Sequence, residues 1–194
     1  MVNLYGIGKQ TAKIFFGIFN RVHVYGAENL PKEGGIILCS NHTSNFDPPL
    51  IGATCPRDLT FMAKSELFEV PLFGPLISRL NAFPIKRGSG DRGAIRMAMK
   101  LLNENRTLLI FPEGTRNTAE HLRKGLSGAG FFALKTDAAV VPCAVIGRYK
   151  FLKPVKIVFG KPIDLSEEKQ QRAKASEVTE IIMTHIQRII DQNK

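Results

Sequence analysis

His42 and Asp47 are the residues of this chain best suited to acid–base chemistry, and they stand five positions apart. Histidine changes its charge between about pH 5 and pH 8, and a neighbouring carboxylate fixes the imidazole tautomer and stabilises the imidazolium. On one continuous helix of about 3.6 residues per turn, the two side chains would lie on different faces. The pair is therefore a candidate general base if the chain turns back between its members.

The residues on either side of the pair predict such a turn. The apolar run Gly35–Ser40 is typical of a buried strand, and Asp47, Pro48 and Pro49 are typical of a helix start with Asp47 as the N-cap. His42 would then lie at the carboxyl end of a strand, where open α/β sheets bind ligands. The alternative is purely structural: Asp47 caps the helix and His42 lies in a polar turn.

A carboxylate and a guanidinium follow the clearest strand pattern of the chain, Thr107–Phe111. Glu113 and Arg116 stand three positions apart in the segment Pro112–Arg116. Glu113 can accept hydrogen bonds from hydroxyls, and Arg116 offers a bidentate fork to phosphate oxygens. The segment is thus suited to binding a polyol phosphate, although the same residues would also make an ordinary turn.

Basic residues follow another predicted strand, Asn81–Ile85. Lys86 and Arg87 come directly after it, and Ser89 is the expected N-cap of a helix that runs to about Asn103. This helix carries further basic residues at every fourth position, namely Arg92, Arg96 and Lys100. They form a solvated helix face, or they extend an anion-binding surface.

Strand and helix patterns alternate along the chain, which favours an α/β fold. Strands are expected at Arg21–Tyr25, Ile36–Ser40, Leu59–Ala63, Asn81–Ile85, Thr107–Phe111, Ala139–Ile146 and Lys156–Phe159, and a last amphipathic helix from Ser166 to the end. We predict a single, largely parallel β-sheet flanked by helices. The chain of 194 residues would divide into an N-terminal segment, residues 1–20, and one domain, residues 21–194.

The N-terminal segment from about Leu4 to Asn20 has the pattern of an amphipathic helix. A broad apolar surface stands against Lys9 and Lys13, which lie one turn apart. Such a helix can lie in a membrane interface, with its aromatic side chains at the acyl boundary and its lysines at anionic head groups. A helix packed on the protein core is the alternative, since Gly6, Gly8 and Gly17 weaken a free-standing helix.

The charge of the chain points to anionic partners. Lys and Arg number 27 against 17 Asp and Glu, a formal net charge of +10, which suits phosphate-bearing substrates, an acidic membrane surface or nucleic acid. The segment after Gly147 concentrates this charge and includes Tyr149 and Phe151, which suits a membrane surface or a nucleotide-bearing donor. The chain has 3 cysteines without a C-x-x-C pair, which indicates reduced thiols and a cytoplasmic setting.

The order of four motifs resembles the glycerolipid acyltransferases, and most closely the bacterial members that act on 1-acylglycerol 3-phosphate (lysophosphatidic acid). These motifs are His42 with Asp47, Arg87, Phe111–Arg116 and Val140–Pro142, and the resemblance covers roughly residues 36–147. It implies transfer of a fatty acyl group from an acyl thioester, either acyl-CoA or acyl-acyl-carrier protein, to the free hydroxyl of lysophosphatidic acid. The product would be phosphatidic acid for phospholipid synthesis.

The resemblance also implies a role for each site residue. His42 would be the general base that takes the proton of the attacking hydroxyl, and Asp47 would orient it. Glu113 would hold the glycerol portion of the acceptor, with Gly114 allowing close backbone approach. The remaining substrate-binding positions are Thr115, Arg116, Arg87 and Lys86, with the phosphate assigned to Arg116 and Arg87.

Neither a metal, nor an organic cofactor, nor an acyl-enzyme is expected from this resemblance. His23, His121 and His185 form no pattern of metal ligands with His42. A thioester is already activated, so a base and the positioning of both substrates are sufficient. A covalent route through Cys39 or Ser44, which are close in sequence to His42, is the alternative.

The expected location is the cytoplasmic face of the cell membrane, with peripheral, monotopic attachment. No stretch approaches the roughly 20 apolar residues of a membrane span, and no signal peptide is visible.

Alternative acceptors are glycerol 3-phosphate and other lysolipids. A nucleic-acid-binding module is disfavoured by 8% aromatic content, the absence of Trp and the lack of an RNA-binding or zinc-finger motif. A non-enzymatic membrane-surface protein is the remaining alternative.

Overall fold

The computed structural model of the protein describes residues 3–86, 90–119 and 121–194. Two residues with predicted roles, Arg87 as a phosphate ligand and Ser89 as a helix cap, lie outside the described residues.

A 7-stranded sheet forms the centre of this structure. In chain order its strands are β1 Arg21–Tyr25, β2 Ile36–Ser40, β3 Leu59–Lys64, β4 Ala82–Ile85, β5 Thr107–Ile110, β6 Ala139–Gly147 and β7 Pro154–Phe159. Their order across the sheet is β1-β7-β6-β2-β5-β3-β4. Each predicted strand is present, with small shifts at its ends.

The sheet is mixed, and among the strands of the described residues one neighbouring pair is antiparallel. Strands β6 and β7 pair antiparallel, and every other neighbouring pair is parallel. The short connection of residues 148–153 explains the exception, because a parallel pair needs a crossover of a dozen or more residues, whereas an antiparallel pair does not. The prediction of a single, largely parallel sheet flanked by helices is confirmed.

Helices cover both faces of the sheet. They are α1 Leu4–Phe19, α2 Asp47–Thr54, α3 Phe73–Arg79, α4 Arg92–Asn103, α5 Gly128–Lys135, α6 Ser166–Gln170 and α7 Ala175–Asn193, with short 3-10 turns at Ala27–Asn29 and Ser65–Phe68. On one face, residues of α1 and α2 pack against the sheet, and on the other face residues of α4, α5 and α7 do so. Strands β2 and β5 are buried along their whole length for this reason.

Helix α1 has one packed face and one exposed apolar face. Tyr5 and Phe16 are buried, and the Tyr5 hydroxyl accepts a hydrogen bond of 2.7 Å from the Leu59 N–H. Ile14 and Ile18 are exposed, together with Leu4, Ile7, Phe15 and Phe19. In the part of the chain that the structure describes, no helix is both long and apolar enough to cross a membrane.

The predicted caps of two helices are wrong. Helix α2 begins at Asp47 with Phe46 at the N-cap position, because the Asp47 carboxylate turns back to the N–H groups of Thr43 and Ser44. The cap of α4 is Asp91, whose Oδ1 accepts hydrogen bonds from the N–H groups of the first helical turn at 3.0 and 3.1 Å, so the assignment of this cap to Ser89 is wrong.

The predicted amphipathic helix at the end of the chain is present, but its start at Ser166 is wrong, because two helices lie between Ser166 and the end. Helix α6 ends at Gln170 and α7 starts at Ala175. Between them Arg172 has φ of 53°, a left-handed conformation that interrupts an α-helix. Helix α7 has Lys174 at its N-cap position, and the Glu177 carboxylate in its first turn accepts the Lys174 N–H at 2.9 Å.

Candidate active site

The His42 and Asp47 side chains meet in the turn between β2 and α2. His42 Nδ1 lies 2.9 Å from Asp47 Oδ2, so the chain does turn back between them. A carboxylate only accepts hydrogen bonds, so Nδ1 carries the proton of this contact. Nε2 is then the ring nitrogen that can act as a base, and no residue in the ranges 3–86, 90–119 and 121–194 forms a hydrogen bond to it.

The Asp47 carboxylate is fully buried and surrounded by donors. Its Oδ2 atom accepts the N–H groups of Thr43 at 2.6 Å and of Ser44 at 2.7 Å. The Thr43 hydroxyl donates to Oδ1 at 3.3 Å. A buried carboxylate is costly unless such hydrogen bonds replace water. The turn of residues 43–44 therefore supplies donors that stabilise the buried Asp47 carboxylate beside His42.

The position of His42 is fixed from the neighbouring strand. Its ring stacks on Phe111, with centroids 4.0 Å apart and planes inclined by 18°. The His42 N–H donates to Glu113 Oε1 at 3.2 Å, and the His42 carbonyl accepts the Asn117 N–H at 2.7 Å. The side chain is 13% exposed. The segment after β5 thus holds both the ring and the backbone of the histidine.

The Asn41 side chain pairs with β6 as the backbone of a strand residue would. Its side-chain amide donates to the Val145 carbonyl at 2.9 Å and accepts the Val145 N–H at 2.8 Å. These two bonds continue the pairing beyond Ser40, where the backbone ladder stops. The residue before His42 is thereby fastened on the side opposite β5.

Glu113 is buried and accepts three hydrogen bonds from the protein. Besides the His42 N–H, the Asn117 amide donates to Oε2 at 2.7 Å and the Arg123 N–H donates to Oε2 at 3.1 Å. These bonds connect the turn of His42 to the segment 113–123. They occupy most of the acceptor capacity of the carboxylate. Its predicted contact with the glycerol portion of an acceptor stays a prediction.

The three residues after Glu113 differ in exposure and in backbone shape. Gly114 has φ of 69°, and a Cβ at this position would lie 2.4 Å from the Leu126 side chain. Its left-handed backbone is the reason that glycine fits here. Thr115 and Arg116 are exposed. Among the described residues, no carboxylate forms an ion pair with Arg116.

Lys86 lies farther from the histidine than the segment after β5. It follows β4, an edge strand three steps from β2, which corresponds to roughly 14 Å across the sheet. The Lys86 N–H donates to Asp91 Oδ2 at 3.0 Å, and this bond is the largest cause that lowers the pKa of Asp91. The structure therefore places Glu113 in contact with His42. Lys86 follows the edge strand β4, which is three strands away from β2.

The two candidates for a covalent route lack activation. Cys39 is fully buried, and burial raises the pKa of its thiol to about 12. A neutral buried thiol is not a nucleophile. The Ser44 hydroxyl accepts the Phe46 N–H at 3.2 Å. Within the described residues neither side chain forms a hydrogen bond to His42.

Two residues of the site have no predicted role there. The Tyr149 hydroxyl donates to Asp47 Oδ1 at 2.7 Å, although the sequence assigned Tyr149 only to a basic surface. Asn117 connects the His42 carbonyl with Glu113. No local pattern indicates these contacts, because Tyr149 is separated from Asp47 by 102 positions.

Neither a metal cluster nor the cavity of α5 involves the His42–Asp47 pair within the described residues. Among the residues described, no group of three or more His, Cys, Asp and Glu side chains could hold a metal ion. A cavity of about 510 Å³ lies between α5 and the α6–α7 connection, and the predicted site residues do not line it. The expectation that no cofactor takes part stays a prediction.

Comparisons with known proteins show the family to which the chain belongs. Residues 21–146 match the family model described as Acyltransferase. A 1-acyl-sn-glycerol-3-phosphate acyltransferase from Bacillus subtilis is 30% identical over 166 residues, which are 82% of this chain and 82% of that protein. Its namesake from Streptococcus pneumoniae is 30% identical over 190 residues, 93% of this chain and 70% of that protein. The chain belongs to the acyltransferase family.

Two further relatives extend the comparison. The crystal structure of the 1-acyl-sn-glycerophosphate (LPA) acyltransferase PlsC from Thermotoga maritima has a TM-score of 0.77 and 26% identity, covering 95% of this chain and 79% of that chain. A lyso-ornithine lipid O-acyltransferase from Pseudomonas aeruginosa is 41% identical over 111 residues, 57% of this chain and 42% of that protein. The predicted resemblance to bacterial 1-acylglycerol-3-phosphate acyltransferases and the prediction of an O-acyltransferase are confirmed.

Proposed function

We propose that this acyltransferase moves a fatty acyl group from an acyl thioester to the free hydroxyl of lysophosphatidic acid, with His42 as the general base. The acyl donor is acyl-CoA or acyl-acyl-carrier protein, and the product is phosphatidic acid. The observation that carries the proposal is the contact of 2.9 Å between His42 Nδ1 and the buried Asp47, which leaves Nε2 as the basic nitrogen.

The chemistry needs one proton acceptor and no covalent enzyme intermediate. Nε2 takes the hydroxyl proton while the hydroxyl oxygen forms a bond to the thioester carbonyl carbon. The carbon–sulfur bond then breaks, and the imidazolium gives this proton to the leaving thiolate. Asp47 stabilises the imidazolium between these two transfers, and such general-base assistance contributes typically about 10²- to 10⁴-fold.

The acceptor phosphate is assigned to the cations at the same edge of the sheet. Arg116 is exposed one turn after Glu113 and offers two parallel N–H donors to phosphate oxygens. Arg87 and Lys86 follow β4 in sequence and complete the proposed phosphate site. Glu113, Gly114 and Thr115 border the glycerol portion in this proposal.

We place the protein on the cytoplasmic face of the membrane, attached from one side. The exposed apolar face of α1 supports this attachment, and it continues into the 148–153 connection. Phe19 and Phe151 contact each other with ring centroids 6.1 Å apart, and the Leu152 N–H donates to the Phe19 carbonyl at 2.8 Å. Basic residues in the same connection suit anionic head groups.

One relative favours a second candidate acceptor. The protein from Pseudomonas aeruginosa is named for a lyso-ornithine lipid, and it shares 41% identity over 111 residues. An acceptor of this class would use His42 and Asp47 in the same way. It would depend less on Arg116, because the head group is named for ornithine and not for glycerol phosphate.

Release of free thiol from a long-chain acyl-CoA tests the proposal. The purified protein is assayed on anionic liposomes with lysophosphatidic acid, glycerol 3-phosphate and lyso-ornithine lipid in separate reactions, and an acyl-carrier-protein donor is run in parallel. We expect turnover with lysophosphatidic acid. Turnover with lyso-ornithine lipid alone would establish the second candidate, turnover with glycerol 3-phosphate alone would change the acceptor, and no turnover with either donor would refute the proposal.

A further inference from the structure

A tyrosine distant in sequence completes the hydrogen bonding of the Asp47 carboxylate. Tyr149 lies on the connection between β6 and β7, and its hydroxyl donates to Asp47 Oδ1 at 2.7 Å. The other carboxylate oxygen, Oδ2, faces His42 Nδ1 and the N–H groups of Thr43 and Ser44. On Oδ1 the additional donor is the Thr43 hydroxyl at the longer distance of 3.3 Å. Tyr149 is therefore the closer partner of Oδ1.

The Tyr149 hydroxyl keeps its proton near neutral pH. Burial raises the pKa of Tyr149 far above its ordinary value, and the charge of Asp47 raises it further. A phenol that keeps its proton can only donate to a carboxylate. In this contact the Tyr149 hydroxyl therefore donates and Asp47 Oδ1 accepts.

The Tyr149 ring is held in place by aromatic neighbours from two helical segments. Its centroid lies 5.5 Å from that of Phe46, which precedes α2, and 6.1 Å from that of Phe16 on α1. Phe16 is buried, and Phe46 packs on it edge to face at 6.0 Å. Because the ring cannot shift freely, its hydroxyl defines a fixed point for Oδ1.

We propose that Tyr149 is a positioning residue for the His42–Asp47 pair, which fixes the rotation of the Asp47 carboxylate so that Oδ2 faces Nδ1. This inference rests on the proposed function of the pair. Tyr149 acts through Asp47 and touches neither the acceptor nor the donor. Without its hydroxyl, Oδ1 is left with the weaker Thr43 contact, the carboxylate turns more freely, and His42 is oriented for a smaller fraction of the time.

The first test is the variant Tyr149→Phe, which removes the hydroxyl and keeps the ring. We expect kcat to fall about tenfold, the scale of one hydrogen bond to a charged group, while KM for lysophosphatidic acid and for acyl-CoA changes less than about twofold. Tyr25→Phe is the matched control, because Tyr25 is exposed on the edge strand β1. Its kinetic constants should equal those of the wild type.

A double variant separates positioning from a general structural effect. If Tyr149 acts only through the carboxylate, Tyr149→Phe added to Asp47→Ala should change the residual kcat less than about twofold. A measurement independent of activity is the proton resonance of His42 Nδ1–H, identified by its loss in His42→Ala. We expect Tyr149→Phe to shift or broaden this resonance and Tyr25→Phe to leave it unchanged.

The outcomes distinguish this inference from the proposed function. Unchanged kcat and an unchanged Nδ1–H resonance in Tyr149→Phe, with an active wild type that His42→Ala inactivates, overturn the positioning role alone. A change confined to KM would also overturn it, since Tyr149 would then contact a substrate. An inactive wild type, or full activity in His42→Ala, overturns the proposed function and the inference together.

Discussion

The backbone N–H of His42 donates to Glu113 Oε1 at 3.2 Å, so the ends of two neighbouring strands are joined at the histidine itself. Glu113 receives two more donors, the Asn117 amide and the Arg123 N–H. The sequence predicts that the Glu113 carboxylate binds the acceptor, and in the structure this carboxylate also supports the turn that contains His42, the proposed base. These two roles predict different kinetics.

Replacing Glu113 by Gln should lower both the stability of the fold and kcat. The amide cannot accept from the donors on both of its ends, so one buried hydrogen bond is lost, which costs about 2 kcal/mol of unfolding free energy. For a chain of this size the melting temperature should fall by roughly 4–8 °C, and kcat should fall because His42 is less well fixed. Thermal unfolding and steady-state kinetics measure both effects.

Glu104→Gln is the matched control for this substitution. Glu104 is exposed and pairs with Lys100 at 3.8 Å, a surface ion pair whose removal costs little. If Glu113→Gln raises KM for lysophosphatidic acid with kcat and melting temperature unchanged, Glu113 binds the acceptor and does not support the turn.

Replacing Arg116 by Ala should affect the acceptor and leave the fold intact. The side chain is exposed, so its loss should change stability by less than about 0.5 kcal/mol. Loss of a charge-assisted contact to phosphate should raise KM for lysophosphatidic acid about thirtyfold. Arg188→Ala on α7 serves as the control for charge. An unchanged KM in Arg116→Ala would remove Arg116 from the proposed phosphate site.

A negative charge introduced on the exposed apolar face of α1 should weaken binding of the protein to anionic vesicles. Ile18 is 61% exposed, and Ile18→Asp removes a side chain that would be buried in the membrane interface. We expect partition onto phosphatidylglycerol vesicles to fall at least about tenfold, with the melting temperature unchanged. Co-sedimentation with the vesicles measures this partition.

Met97→Asp provides the comparison for vesicle binding. Met97 is 45% exposed but belongs to α4, on the opposite face of the sheet. It should bind vesicles as the wild type does. Equal binding by Ile18→Asp and the wild type would exclude α1 as the membrane contact.

Cys39→Ala should retain activity. Burial raises the pKa of the thiol to about 12, so the thiol stays neutral below that pH and supplies no thiolate at pH 8. We expect kcat within about twofold of the wild type and no modification by iodoacetamide at pH 8 in the folded protein. Cys143→Ala, also buried, is the control for packing. Loss of turnover in Cys39→Ala alone, with an acylated Cys39 in the wild type, would contradict the one-step transfer.

Much of the fold follows from local patterns of the chain. The buried strand before His42 and the one before Glu113 are apolar runs, and parallel strands bring their carboxyl ends to one edge. The sequence therefore places His42 and Glu113 each at the carboxyl end of a strand, whereas the contact between them is a finding of the structure. The direction of β7 depends on the length of the 148–153 connection and on the strand with which β7 pairs. Hydrophobic periodicity gives no information about either.

The wrong start of α2 comes from competing hydrogen bonds of Asp47. Asp47 carries a helix-capping pattern, yet its carboxylate turns to the N–H groups of Thr43 and Ser44 because His42 and Tyr149 also meet it there. The N–H bonds of Thr43 and Ser44 are local turn bonds that compete with helix capping, and the distant Tyr149 hydroxyl adds a partner on the same side. The contact of Tyr149 with Asp47 and that of the Asn117 N–H with the His42 carbonyl join distant parts of the chain, so local patterns do not indicate them.

Single-turnover acyl transfer by His42→Ala tests the central claim most directly. The variant is mixed in excess with lysophosphatidic acid and a labelled long-chain acyl-CoA on anionic liposomes, and His23→Ala, an exposed histidine on β1, is measured beside it. We predict a loss of roughly 10²- to 10⁴-fold in the rate of phosphatidic acid formation for His42→Ala, with an unchanged melting temperature, and wild-type rates for His23→Ala. A folded His42→Ala protein that transfers the acyl group at the wild-type rate would contradict the account.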